Sequence, residues 1–286
     1  MLNPQSKYQS HQLMLLNRRR VLSAGGQFLW GVLCGITVAS CGAIAPQASN
    51  QNAQTTLTVS AASSLQTLFQ TLLPLFQQQF PQLNLRFNFA SSGALQRQIE
   101  QGAQVDGFIS ASPWHMDRLD QQGLIAPGSR RSLFRNRIAL VTAKPVEGVS
   151  RFAHLLGDAI ETVAIGQPAT APVGQYAQEV LESLDLYQPL KSKLIYGKDA
   201  RQVLTYMTTG NADAALIYAS DLVNLNQAGA VNLVEIAGEA LHSPITYPGG
   251  AIADSPNQTA AIAFLDFLHS AIAQQQIAAQ GFQMER

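Results

Sequence analysis

The spacing of apolar and polar positions along this chain switches repeatedly between two periods, and those switches predict its elements. LTVSA (Leu57 to Ala61) is a short β-rich run. It leads into SLQTLFQTLLPLFQQQF (Ser64 to Phe80), where Leu65, Leu68, Phe69, Leu72, Leu73 and Phe76 recur at the i, i+3, i+4 spacing of a helix. Pro74 is expected to kink that helix, because it removes an amide donor and its ring crowds the preceding turn. LNLRFNFA (Leu83 to Ala90) alternates like a strand and is followed by the helical pattern GALQRQIEQG (Gly93 to Gly102). VDGFISAS (Val105 to Ser112) reads as a buried strand, and RIALVTA (Arg137 to Ala143) as a longer one after a basic loop.

The second half repeats the scheme. TVAIG (Thr162 to Gly166) runs through a Pro- and Gly-rich loop into the helix GQYAQEVLESL (Gly174 to Leu184). KLIYG (Lys193 to Gly197) precedes the helix DARQVLTYMTTG (Asp199 to Gly210), and AALIYAS (Ala214 to Ser220) is another apolar strand. PITYPGGAIA (Pro244 to Ala253) offers a late strand, and NQTAAIAFLDFLHSAIAQQQIAAQ (Asn257 to Gln280) gives one long helix or two short ones. Short β-rich runs alternating with longer helices predict an α/β protein with parallel strands.

The first 56 residues break this pattern. NRRR (Asn17 to Arg20) precedes an uncharged apolar run from Val21 to Ser40, the layout of an export signal. VASC (Val38 to Cys41) ends the run and resembles the lipobox of bacterial lipoproteins, which makes Cys41 the expected lipidation site. An uncleaved membrane anchor is the alternative, since about 20 apolar residues can span a bilayer. RRRVL (Arg18 to Leu22) loosely resembles a twin-arginine signal, and the export route stays open; Met14 is an alternative start. Both readings put the bulk of the chain outside the cytoplasm. GAIAPQASNQNAQTT (Gly42 to Thr56) is small, polar and non-periodic, as a flexible tether would be. The resulting division is 1–40 as signal and 41–54 as tether.

Composition narrows the chemistry. Hydrophobic residues make up 47% of 286 positions, enough for a sizeable core. Of the 18 Lys and Arg, four precede Cys41 and no acid does, leaving 14 bases against 18 acids and a net charge of about −4, which argues against nucleic acid as a partner. The two cysteines, Cys34 and Cys41, lie in the leader, so the folded part has neither a disulfide framework nor a thiolate metal site. Phosphate-loop, dinucleotide, zinc-protease and nucleophile-elbow motifs are missing, and the five histidines are scattered without ligand spacing.

What recurs is a hydroxyl or small residue where a strand gives way to a helix. It occurs at Ser63 and Ser64, at Ser91 and Ser92, near Val173 and Gly174, and near Asp199 and Ala200. Taken singly, each is an ordinary helix cap contributing about 1 kcal/mol. Taken together, several helix N-termini opening on one cleft would hold an anion without arginine or lysine, through unpaired N–H groups and the positive ends of the helix dipoles. Tyr218, inside an apolar strand, is by itself an ordinary core tyrosine.

The segments LTVSAASSL (Leu57 to Leu65), FASSGALQRQIEQGAQVDGFISAS (Phe89 to Ser112), RNRIALV (Arg135 to Val141), AIGQPATAPVGQYAQEVL (Ala164 to Leu181), KDARQVL (Lys198 to Leu204), ALIYASD (Ala215 to Asp221) and YPGGAIA (Tyr247 to Ala253) stand in an order that resembles the periplasmic molybdate-binding proteins of ABC importers. The resemblance implies an α/β, two-lobed type II periplasmic-binding-protein fold, each lobe a mixed β-sheet flanked by helices, with the ligand cleft between lobes. Residues 55–134 and 249–286 would form lobe 1, and 135–248 lobe 2. It further implies a binding role rather than catalysis, with molybdate or tungstate as ligand, no cofactor and no direct metal ligands. The implied site consists of the hydroxyls of Ser64, Ser92 and Tyr218 and the backbone amides of Val173 and Ala200. The implied partners are an ABC permease and its ATPase, with a monomeric, membrane-anchored lipoprotein at the periplasm or cell surface. Val173 and Ala200 stand where the family commonly has alanine and valine, which leaves the amide donors in place. Gly249 and Gly250 replace a usual apolar run and would soften a hinge, since glycine adopts conformations other residues resist. A sulfate- or phosphate-binding relative and an extracytoplasmic hydrolase using Ser64 or Ser92 are the alternatives.

Overall fold

A computed structural model describes residues 54–227 and 229–284. The expected signal over 1–40, Cys41 and the tether up to residue 53 lie outside the described residues. The strands are β1 (Thr55–Ala62), β2 (Leu83–Ala90), β3 (Gly107–Ile109), β4 (Arg131–Asn136), β5 (Ile138–Thr142), β6 (Val163–Gly166), β7 (Leu194–Gly197), β8 (Ala214–Tyr218), β9 (Asn232–Ile236), β10 (Ile245–Ala251) and β11 (Gln283–Met284). The helices are α1 (Gln66–Gln79), α2 (Ser92–Glu100), α3 (Pro113–Gln121), α4 (Pro172–Ser183), α5 (Tyr187–Leu190), α6 (Ala200–Thr208), α7 (Leu222–Gln227), α8 (Gln258–Phe267) and α9 (Ala271–Ala279).

Two mixed sheets carry the fold, in the orders β11-β4-β10-β3-β1-β2 and β7-β6-β8-β5-β9. The central strands are almost wholly apolar because helices cover both faces. Leu57, Val59, Ala61 and Ala62 of β1 are buried, as is every residue of β5 and β8. The chain passes from the first sheet to the second at Arg137 and returns between Ile236 and Ile245. The divisions expected at 134/135 and 248/249 therefore fall inside β4 and β10.

Register decides where the loops emerge. β1 runs parallel to β2, with Ala62 beside Ala90, so the serines following each strand leave the sheet at the same edge. In the second sheet β6 runs parallel to β7 with Gly166 beside Gly197, and parallel to β8, so the approaches to α4 and α6 and the end of β8 share an edge too.

An aromatic cluster seats α1 and α8 on the first sheet. The Phe264 ring meets Phe69 edge-on at 5.6 Å and Phe76 at 5.2 Å, while Phe69 stacks on Phe87 of β2 at 4.9 Å. α1 runs through Pro74 without a break in its assignment. The C-terminal helical pattern is two helices, because Ser270 caps α9 by accepting the Ala273 N–H at 3.4 Å.

The stretch read as a basic loop contains a strand. β4 pairs antiparallel with β10 on one side and β11 on the other, burying Leu133, Phe134 and Asn136 while Arg131 and Arg135 are only partly covered. Its arginines hid the alternation. VDGFISAS shortens to β3, and at its start Asp106 donates its N–H to the Thr58 carbonyl at 2.7 Å while its carboxylate accepts the Thr58 N–H at 2.7 Å. Gly249 and Gly250 have no unusual backbone angles. A Cβ at Gly249 would come within 2.6 Å of Leu265 Cδ2, and one at Gly250 within 2.8 Å of Ile125 Cγ2. Close packing, and not freedom of bending, explains these two glycines.

Phe264→Ala should cost about 3–5 kcal/mol through lost burial and a residual cavity, lowering the melting temperature by roughly 10 °C. A shift under a couple of degrees in calorimetry would show that α8 is not held by this cluster.

Candidate functional site

The two shared edges enclose one small cavity of about 10 Å³, lined by Ala62 at the end of β1 with Ser63 and Ser64 after it, Ala90 at the end of β2 with Ser91 and Ser92 after it, Ala111 after β3, Ala171 to Val173 after β6, Ala200 after β7, and Tyr218 at the end of β8. All five residues of the expected ligand set, Ser64, Ser92, Val173, Ala200 and Tyr218, are among them. The lining contains no Lys, Arg, Asp, Glu or His side chain. A larger groove of about 480 Å³ lies beside α4, but it is open to solvent and collects Glu179 and Glu182.

Local sequence explains why helix N-termini face the cavity. Ser91 caps α2, its Oγ accepting the Ala94 N–H at 3.4 Å. Asp199 caps α6, accepting the Gln202 N–H at 2.9 Å. Pro172 opens α4, where a missing amide costs nothing. α4 also sits unusually close to β6, since a Cβ on Gly174 would lie 2.1 Å from the Gly166 carbonyl oxygen. Val173 and Ala200 belong to first turns, whose amides have no acceptor within the helix.

Hydroxyl polarity follows from the partners. Ser92 is fully buried and its Oγ accepts the Ala111 N–H at 3.0 Å, so its own hydrogen is left to donate. Ser64 Oγ lies 3.2 Å from the Tyr247 hydroxyl. Tyr218 Oη is buried without a hydrogen-bond partner among the described residues. Burial pushes the Tyr218 pKa well above the usual value of 10, so the phenol keeps its proton. Leaving such a group unpaired costs about 1–3 kcal/mol.

Two acids stand near this set: Asp199, whose carboxylate caps α6 beside Ala200, and Asp221. Burial lifts the Asp221 pKa from 3.8 to about 7, against the opposing pull of Arg201 and a backbone hydrogen bond at Tyr218. His115 is buried behind α2, its Nδ1 2.6 Å from Gln96 Oε1, and burial holds its pKa down at about 4. It is a neutral core histidine there. Among the described residues no group of three His, Cys, Asp or Glu side chains could hold a metal ion.

Two contacts join the sides of the cavity. The Gly93 N–H at the start of α2 donates to the Thr170 carbonyl at 3.1 Å, and Arg201 Nε of α6 donates to Gln66 Oε1 of α1 at 3.2 Å. The first requires glycine, because a Cβ at position 93 would lie 2.7 Å from Thr170 O and 2.9 Å from His115 Cε1. Sequence reading assigned no role to Gly93, Asn136, Asp221 or Tyr247. The last three carry polar groups buried beside the expected ligand set, and all four stood inside segments already singled out.

Gly93→Ala should force α2 away from Thr170. Hydrogen exchange at the amide of residue 93 should then speed up roughly tenfold while the global melt moves by only a few degrees; unchanged protection would mean that the contact is not made in solution. For Asp221, a folded pKa above the unfolded one means the folded state binds its proton more tightly. Its contribution is therefore neutral below about pH 4, turns unfavourable as pH rises to about 7, and stays so above. Asp221→Asn should melt like the parent at pH 4 and be more stable at pH 8 by on the order of a few kcal/mol. Equal melting at both pH values would show that Asp221 is solvated.

The profile of the family described as bacterial extracellular solute-binding protein matches residues 57–283. YvgL of Bacillus subtilis (strain 168), which carries the provisional name of an ABC transporter substrate-binding lipoprotein, is 35% identical over 90% of this chain and 97% of its own length. The molybdate-binding protein ModA of Haemophilus influenzae is 30% identical over 79% of this chain and 89% of its own. Among solved structures, the substrate-binding domain of a provisionally named molybdenum ABC transporter from Clostridium difficile is 36% identical, with a TM-score of 0.63 over 81% of this chain and all of that one. The two sheets and the cavity between them are the two-lobed type II periplasmic-binding-protein architecture. The chain belongs to the bacterial extracellular solute-binding proteins.

Proposed function

We propose that this protein captures molybdate or tungstate outside the cytoplasm and delivers it to the permease and ATPase of an ABC importer. The observation that carries the reading is the chemistry of the cavity, where hydroxyl donors and first-turn amides meet and no side chain of either charge intrudes. Ser64, Ser92 and Tyr218 would each donate an O–H to the oxyanion, and Val173 and Ala200 a backbone N–H. Relatives named for molybdate or molybdenum support the same ligand.

An all-donor site selects by protonation. A protonated phosphate brings an O–H that needs an acceptor, whereas molybdate, tungstate and sulfate bring none. Sulfate is rejected by size, because its oxygens lie closer to the central atom and leave a buried donor unmet, at about 1–3 kcal/mol each. Closure on the ligand adds the donors of the second sheet to those of the first.

The hydroxyl partners favour binding over hydrolysis. Ser64 is held by a tyrosine and Ser92 by a backbone amide, where a nucleophile would need a histidine base. Lipidation at Cys41 would tether a monomer to the membrane, with the uncharged stretch beyond it as leash. Nucleic acid is no part of this function.

Thermal unfolding of the purified chain with molybdate, tungstate, sulfate or phosphate tests the proposal. A ligand at a thousandfold excess over Kd should add about 4 kcal/mol, several degrees of melting temperature. A rise with molybdate and tungstate alone is expected, and a rise with sulfate or phosphate instead would move the site to a sister specificity. Ser92→Ala should lower oxyanion affinity roughly 10- to 100-fold with the fold intact; undiminished affinity in calorimetry would remove Ser92 from the ligand set.

A further inference from the structure

Ser64 differs from the other two hydroxyls in having a chain of buried polar partners behind it. The chain starts at Asn136, the last residue of β4, where the strand hands over to the second sheet. Asn136 Oδ1 accepts the Arg137 N–H at 2.9 Å and the Ser220 N–H at 3.3 Å. Two backbone donors on one atom identify it as the oxygen, so Nδ2 must be the atom facing Ser220 Oγ at 2.9 Å and the Tyr247 hydroxyl at 3.4 Å.

An amide nitrogen only donates, so the Tyr247 oxygen receives a hydrogen from it. The tyrosine's own hydrogen then needs an acceptor, and of the two hydroxyls beside it Ser64 Oγ, 3.2 Å away, is the one at hydrogen-bond distance, while the Tyr218 phenol lies farther off. A serine oxygen that accepts there turns its own hydrogen elsewhere, and Ser64 lines the cavity. Burial raises the Tyr247 pKa well above its usual value, so the phenol keeps its proton throughout the physiological range.

We propose that Asn136 and Tyr247 are positioning residues that lock the Ser64 hydroxyl into donating toward the cavity, through Asn136 Nδ2–H to Tyr247 Oη and Tyr247 O–H to Ser64 Oγ. The proposal rests on the oxyanion-binding reading of the cavity and adds to it the groups that set the polarity of one donor. Tyr247 also has a packing role, its ring lying 5.0 Å from Phe134 and 5.6 Å from Phe282. Phenylalanine would preserve that packing and remove only the hydroxyl. In that variant Asn136 keeps Ser220 Oγ for one of its two Nδ2 hydrogens and loses the acceptor of the other, a cost that falls on stability and is read from the variant's melting temperature.

The test is a double-mutant cycle read by titration calorimetry with sodium molybdate on the full-length chain in detergent. Tyr247→Phe should weaken molybdate about tenfold and Ser64→Ala roughly 10- to 100-fold. The double variant should be no weaker than Ser64→Ala to within about twofold, because the tyrosine acts only through the serine. Additive losses would overturn the relay and leave Tyr247 a packing residue. Should Tyr247→Phe fail to fold, the same cycle with Asn136→Ser leaves the phenol in place and frees its hydroxyl to rotate, with coupling and additivity read in the same way. A parent chain that takes up no molybdate would sink the proposed function itself, and the relay with it, whereas uptake by the parent with additive losses sinks the relay alone.

Discussion

Parallel pairing is the constraint on which the rest of this structure depends. With Ala62 set beside Ala90, and Gly166 beside Gly197, strand ends in each sheet come level, and the following helices must all begin at one edge. A helix that begins there presents amides its own turns cannot satisfy, and a sheet buried on both faces has no water to offer them. The cavity is thus a product of register before it is a product of any special residue. Caps at Ser91 and Asp199 satisfy part of the deficit, and the surplus of donors remains pointed at the same small volume.

That surplus explains how a chain with few positive charges can be suited to an anion. Backbone amides and hydroxyls are neutral, so gathering them costs less desolvation than burying guanidinium or ammonium groups. They are also directional, and an anion must have an oxygen where each one points. Asp221 lies in the same region, and because burial raises its pKa to about 7 it carries only about half a negative charge on average near neutral pH. The Gly93 to Thr170 contact adds a steric condition: the two edges meet only because position 93 has no side chain.

Much of this was legible from the residues, for identifiable reasons. Strands such as LNLRFNFA and helices such as α1 announced themselves because burial on one or two faces imposes a period, and the strand-to-helix junctions carried serines because caps need short hydroxyls. The strand β4 was hidden because its arginines occupy the half-covered positions of a strand near the sheet's edge, where charge is tolerated. Gly249 and Gly250 invited a reading in terms of backbone freedom, and what they serve is the approach of Leu265 and Ile125, contacts that no local pattern encodes. Asn136 and Tyr247 escaped for the same reason. Their significance lies in partners 84, 111 and 183 positions away along the chain.

Long-range polar partners of this kind bear on specificity more than on stability. A serine at a helix start can donate or accept with nearly equal ease, and a cavity whose hydroxyls were free to turn would accommodate a proton-bearing oxyanion by reversing one of them. Anchoring matters most where the alternative is cheapest. Ser92 is anchored by the Ala111 amide, a donor whose direction the strand fixes. Ser64 has no such amide beside it, and its neighbour is another hydroxyl, which could point either way unless something behind it decides. Asn136 is in turn decided by two backbone N–H groups, one at Arg137 in the crossing from the first sheet and one at Ser220 in the second. The direction of a single hydrogen in the cavity is therefore traceable to backbone geometry at the crossing between the sheets.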